Sequence, residues 1–181
     1  MTSSLRNTVL CMLTLMPFYA AAQLETSAEV QIAVKDFMEI STAKHTGAIV
    51  NIPFNTTADF TQGVVKTMPS ALVLSSTIEY NILVRAAAES FRSLSNNRNT
   101  IPSSVLRLTI ENSEVLTPGG MMRSVNYLAT TNQPLLLNGR AAVNNIINIT
   151  YSIPAERAIK YVLPSGAGLY TNTIIYTITP K

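Results

Sequence analysis

Apolar and polar residues alternate along most of the chain, the period of a strand that turns one face to a core and the other to solvent. In the first such stretch Val30, Ile32 and Val34 share one face, while Glu29, Gln31 and Lys35 share the other. Ala48, Val50, Ile52 and Phe54 make a second face, opposite Asn51. The clearest set is Ile78, Tyr80, Ile82, Val84 and Ala86 against Glu79, Asn81 and Arg85. Leu106, Leu108 and Ile110 repeat it, as do Ile147, Ile149, Tyr151 and Ile153. A terminal stretch sets Tyr170, Ile174, Tyr176 and Ile178 against Thr171, Thr173 and Thr177. No comparable stretch keeps a helical period for three turns, so residues 86–93 and 155–158 are expected to form single helical turns that act as connectors.

Turn-forming residues separate these stretches. They are Thr56-Thr57-Ala58-Asp59, Gln62-Gly63, residues 95–99, Thr117-Pro118-Gly119-Gly120, Asn138-Gly139 and residues 164–168. Asn138-Gly139 has the chemistry of a two-residue hairpin turn. Asp59-Phe60 ahead of Gln62-Gly63 predicts a turn feeding an edge strand, with Gly63 supplying a bulge or a positive φ. Gly168 two residues before Tyr170 fits a tyrosine corner, in which the phenol bonds back to nearby backbone; the other reading makes Tyr170 one of several aromatic core residues. Many short strands joined by turns predict an all-β domain of two antiparallel sheets packed face to face.

The N-terminus departs from this texture. A short stretch with one charge, Arg6, precedes an apolar run over residues 8–19, and Ala20-Ala21-Ala22 places small residues before Gln23. That three-part layout predicts a cleavable export signal over residues 1–22, with an apolar run too short for a permanent membrane span. A buried N-terminal helix is the competing reading. The mature domain is then 23–181, with 23–28 a polar leader that is either flexible or a strand donated elsewhere. Cys11, the sole cysteine, lies inside the signal and follows Leu10 rather than a small residue, which argues against lipid attachment. The mature chain therefore has no disulfide.

Composition narrows the function classes. Lys and Arg number 13 and Asp and Glu 10, and no two basic residues adjoin, so the basic cluster of a nucleic-acid footprint is missing. Charged residues make up 13% of the chain, about half the share in an ordinary globular domain. Ser, Thr and Asn carry the polar surface instead, a style common among exported β proteins.

Chemistry is sparse. His45, the single histidine, sits in the polar stretch Lys44-His45-Thr46-Gly47 with no nucleophile motif nearby, and reads as a solvated loop residue. Glu111 and Glu114 flank Asn112-Ser113 and offer two hard oxygen donors where calcium takes at least about six. Neither Gly119-Gly120 nor Gly166-Ala167-Gly168 continues into a phosphate-binding loop. Asn55-Thr56-Thr57 and Asn148-Ile149-Thr150 are taken as chance matches to the glycosylation triplet. No catalytic, cofactor-binding or metal-binding residue is assigned, and no cofactor is expected. Two carboxylates meeting from distant strands would still permit a hydrolase. The lack of Trp weakens, without removing, a carbohydrate-binding reading.

VQIAVKDFMEI, IVNIPFNTTADFTQGV, IEYNILVRAAAESF, IPSSVLRLTI, NNIINITYSIPA and GLYTNTIIYTITPK together resemble small exported bacterial β-sandwich proteins of the coat-protein-U and fimbrial-subunit type. The resemblance spans nearly all of the mature chain and is most specific over residues 55–64 and 168–178. It implies an immunoglobulin-like sandwich and a structural or adhesive role in the periplasm, at the cell surface or outside the cell. Polymerising fimbrial members often carry a cysteine pair, which is missing here, and that puts assembly through a chaperone and usher in doubt. The expected function is a non-enzymatic exported structural or adhesive protein, associating with itself or other surface proteins through strand edges. The alternatives are a secreted module binding a glycan or small ligand and, more weakly, a two-carboxylate hydrolase.

Overall fold

The computed structural model describes residues 29, 31–42, 49–95, 98–111 and 120–181. The export signal, the 23–28 leader, Cys11, His45 and Glu114 lie outside them. The chain divides into two units, Met1–Ala33 and Val34–Lys181. Of the first, residues 29 and 31–33 are described; they are exposed, and Gln31 Nε2 donates to Glu29 Oε1 at 3.0 Å.

The second unit is all-β, an antiparallel β-sandwich. One sheet runs in the order β1 (Met38–Ser41), β2 (Gly63–Ser76), β9 (Ala142–Pro154), β6 (Arg107–Ile110). The facing sheet runs β11 (Ile174–Pro180), β3 (Tyr80–Ala86), β8 (Gln133–Gly139), β7 (Met121–Met122). A small third sheet joins β10 (Tyr170–Thr171), β4 (Ser90–Ser93) and β5 (Thr100–Pro102). In chain order the first sheet follows the A-B-E-D arrangement of immunoglobulin domains, and β3 pairs with β11 as strand C pairs with F. Beyond β11, where such domains place strand G, no described strand pairs.

The core lies between the two larger sheets. Leu72, Leu74, Leu108, Ile147, Ile149 and Tyr151 come from the first; Tyr80, Ile82, Val84, Leu135 and Leu136 come from the second. Along β3 every second residue is buried, as the alternation predicts. Tyr151 and Tyr176 link the sheets through their hydroxyls, 2.6 Å apart.

Several expectations change. Residues 31–37 form no strand, and the first ladder begins only at Met38. Residues 49–54 keep the expected alternation, with Val50, Ile52 and Phe54 packed on the core, yet join no ladder. Asn138 takes a positive φ of 56°, but no hairpin follows, because β8 and β9 belong to different sheets and the link between them crosses the sandwich. Gly139 instead admits the Tyr80 ring, which a Cβ there would meet at 2.6 Å. Residues 86–93 hold the end of β3 and all of β4 rather than a helical turn. The helical run after β9 is longer than expected: Ala155–Arg157 is α, Ala158–Val162 is π and Leu163–Ser165 is 3-10.

The segment before β2 is a short helix, α1 (Thr57–Gln62), rather than a turn. Thr56 caps it, and the Asp59 carboxylate accepts the backbone N–H of Asn55 and of Thr56, each at 2.7 Å. Those two bonds, Thr56 first and then Asn55, hold the Asp59 carboxyl below its usual range. Gly63 ends the helix at φ 78°, where a Cβ would stand 2.5 Å from the Ile153 carbonyl oxygen. The expected positive φ is therefore present, and only glycine fits it. Residues 63–68 of β2 pair with β9 alone, because β1 reaches only residues 73–76, so this half of β2 is an edge as expected.

Candidate functional site

Among the described residues, one place where the fold leaves backbone bonding capacity unused is the flank formed by β1 and β11. β1 and β11 are edge strands of the two sheets, as are β6 and β7 at the opposite flank, and β1 and β11 lie beside one another. Met38 and Ile40 of β1, with Ile174, Tyr176 and Ile178 of β11, pack against the core but stay half-buried. An edge strand presents a row of backbone N–H and C=O groups that another strand can complete. Lengthwise, β11 spans seven residues, enough for a full partner strand.

Both ends of β11 are anchored. Before it, the Tyr170 hydroxyl donates to the Ser165 carbonyl and stands 3.1 Å from that of Gly166, which is the tyrosine-corner arrangement. Asn172 Nδ2 donates to Ala88 O at 2.8 Å and to Ser103 Oγ at 2.7 Å. After it, Lys181 N donates to Glu79 O at 3.1 Å, and the Lys181 ammonium meets the Glu79 carboxylate at 2.7 Å. That ammonium lowers the Glu79 pKa, by hydrogen bonding first and by charge second.

The segment ahead of β1, which alternates in sequence, pairs with no described strand. Ile32 is 84% exposed and Val34 is 75% exposed, although they occupy the apolar face of a clean alternation. Ile32, in the first unit, and Val34, in the second, are each left in water. Covering both would gain roughly 3–6 kcal/mol of burial.

The other residues singled out from sequence do not converge. Glu111 is exposed just past β6, where its Oε2 accepts from Thr67 Oγ1 at 3.2 Å. Asn148, part of a glycosylation-like triplet, sits in β9 and accepts from Ser70 N at 2.8 Å, which supports the bulge where Ser70 adopts φ 52°. Asn55 donates its backbone N–H to the α1 cap. Among the described residues no three of His, Cys, Asp and Glu stand close enough to share a metal ion. No helix among them is long and apolar enough to cross a membrane. The free state of the β11 edge had no sequence signal, because it depends on which strands become neighbours. No protein-family model matches the chain, and no curated protein matches it either.

Proposed function

We propose that this chain is an exported, non-enzymatic structural or adhesive protein of the cell envelope or surface, whose copies associate by strand addition. One observation carries the reading: Ile32 and Val34, alternate residues in the sequence, stand in solvent, while among the described residues no strand is hydrogen-bonded to the outer edge of β11. In β-augmentation the backbone ladder supplies affinity and alternate side chains fill pockets along the acceptor. Here Ile32 and Val34 would lie over the half-buried Ile174, Tyr176 and Ile178, and each copy would offer both a donor and an acceptor. A donor segment that pairs with a different segment of the next copy makes a heterologous contact, which produces chains rather than closed pairs where the rotation does not close. The signal-like N-terminus and the resemblance to coat-protein-U and fimbrial-type sandwiches support export and a surface role.

The test is sedimentation of the purified protein beside an Ile32→Asp/Val34→Asp double variant. Wild type is expected to form concentration-dependent oligomers, and the variant to remain monomeric with the same circular dichroism spectrum. A wild-type protein that is monomeric at millimolar concentration would sink the reading, as would a double variant that assembles equally well. N-terminal sequencing of the exported product should begin at Gln23.

A further inference from the structure

Two hollows share one wall, the Tyr127 side chain, in a part of the molecule that strand addition does not use. The larger, about 420 Å³, is lined by Arg123, Asn126, Tyr127, Gln133, Pro134 and Leu137. The smaller, about 240 Å³, is lined by Ser104, Tyr127, Glu156, Arg157, Lys160 and Tyr161. Gln133, Pro134 and Leu137 belong to β8, which is separated from β11 by β3.

Tyr127 is 60% exposed, yet its backbone is held firmly. Gln133 Nε2 donates to Tyr127 O and Gln133 Oε1 accepts from Ala129 N, both at 2.9 Å. On either side of it, Val125 bridges to Leu108, and Leu128 N donates to Leu106 O at 3.2 Å. A large aromatic ring on a pinned segment, held out of the core, is pre-organised for contact with something else.

The charges around it are unbalanced. Arg157 is 8% exposed. Its Nη1 donates to the carbonyls of Ser104 at 3.3 Å, Val105 at 3.5 Å and Asn126, and its guanidinium carbon lies 3.9 Å from the centre of the Tyr127 ring. Its Nε stands 3.8 Å from Glu156 Oε1, beyond hydrogen-bond reach, and that carboxylate is 76% exposed. Among the described residues, Nε and Nη2 make no hydrogen bond. Arg123 and Lys160, both exposed, stand in the two hollows, so among the described residues lining them three cations face one carboxylate.

We propose that the Tyr127 ridge binds an acidic oligosaccharide: a pyranose ring lies on the exposed tyrosine while ring carboxylates reach Arg123 on one side and Lys160 with Arg157 on the other. Three features select this class. The smaller hollow falls below the roughly 300–1,000 Å³ of drug-sized pockets and suits a single ring. Arginine matches carboxylate geometry through paired N–H donors. A sugar ring presents an apolar face to Tyr127 and hydroxyls to the polar rim, whereas the spaced cations lack the basic cluster that a polyphosphate backbone would need.

The experiment is titration calorimetry of the purified protein against tetragalacturonate, sialyllactose, a neutral galactose tetramer and a thymidine oligonucleotide. At least one acidic sugar should bind; which one does so tells whether the carboxylate is met along a chain or at its end. The neutral tetramer should bind at least tenfold more weakly. Arg123→Gln combined with Lys160→Gln should weaken binding at least fivefold without moving the melting temperature, since both side chains are exposed. Tyr127→Ala should weaken it at least fivefold while lowering the melting temperature by the lost stacking on Arg157, and Tyr127→Phe, which keeps that stacking, should retain binding. Absence of binding by both acidic sugars overturns the proposal. So does an affinity unmoved by Tyr127→Ala, or an oligonucleotide that binds as tightly as the sugars. The Ile32→Asp/Val34→Asp variant should bind as wild type does, which separates this site from assembly.

Discussion

β3 and β11 lie side by side in one sheet with the same alternation of apolar and polar residues, and they end in different states. Ile82 and Ile178 are partners across the ladder, yet Ile82 is 0% exposed and Ile178 is only half-buried. Four of the seven residues of β3 are buried; none of the seven in β11 is. The chemistry of the side chains is nearly equal, so the difference comes from position. β3 pairs with β11 on one flank and β8 on the other, whereas among the described strands β11 is hydrogen-bonded to β3 alone. Periodicity decides which face is apolar, and the number of flanking strands decides how deep that face sinks.

The sharpest way to break this contrast is truncation on the two strands. Ile82→Ala is expected to cost about 2–5 kcal/mol in urea unfolding, as a fully enclosed side chain should. Ile178→Ala should cost less than half as much in the monomer, because solvent already reaches it. Equal losses would mean that β11 is not open. A smaller effect is expected where the two sheets meet: Tyr176→Phe leaves the Tyr151 hydroxyl without its partner, at a cost of about 1–2 kcal/mol.

The same tyrosine pair sets a pH dependence. Although Tyr176 is half-buried as a residue, it turns its hydroxyl inward. Burial first, and then the charge and hydrogen bond of Tyr151, hold its pKa well above the ordinary tyrosine range. Tyr151 is raised by burial, with its bond to Tyr176 opposing the rise. Unfolded phenols lose their protons near pH 10 while the folded pair retains them. Stability from the pair is therefore complete below about pH 10 and declines as pH rises past that value toward the folded pKa. Tyr176→Phe should make the alkaline decline shallower, and an unchanged slope in denaturation midpoint against pH would contradict the assignment. The smallest effect belongs to the exposed segment ahead of β1: Val34→Asp should change monomer stability by no more than about 0.5 kcal/mol, measured the same way.

Legibility in the sequence followed the same division. β3, β6 and β9 were readable because their buried apolar residues fall on every second position, from Tyr80 to Ala86 and from Ile147 to Ile153. β2 was anticipated only as an edge strand after Gly63, and its extent was missed because a bulge at Ser70 breaks its alternation and its first half carries no fully buried residue. β8 escaped because Leu135 and Leu136 are both buried where its ladder with β3 slips. At residues 31–36 the pattern names an apolar face and cannot supply a neighbour. The Tyr170 corner was visible because its partners are only four and five residues upstream. The Tyr127 ridge was not, since Arg157 reaches it from 30 positions away through contacts that only the folded topology creates.

The anchoring of β11 at both ends bears on how any visiting peptide would dock. With the phenol of Tyr170 and the amide of Asn172 clamping its start, and Lys181 tied to Glu79 at its finish, the strand is a taut rail instead of a loose flap. A newcomer meets a template whose hydrogen-bonding groups already point in register. Pairing proposed for this edge would then start on a strand that is already ordered.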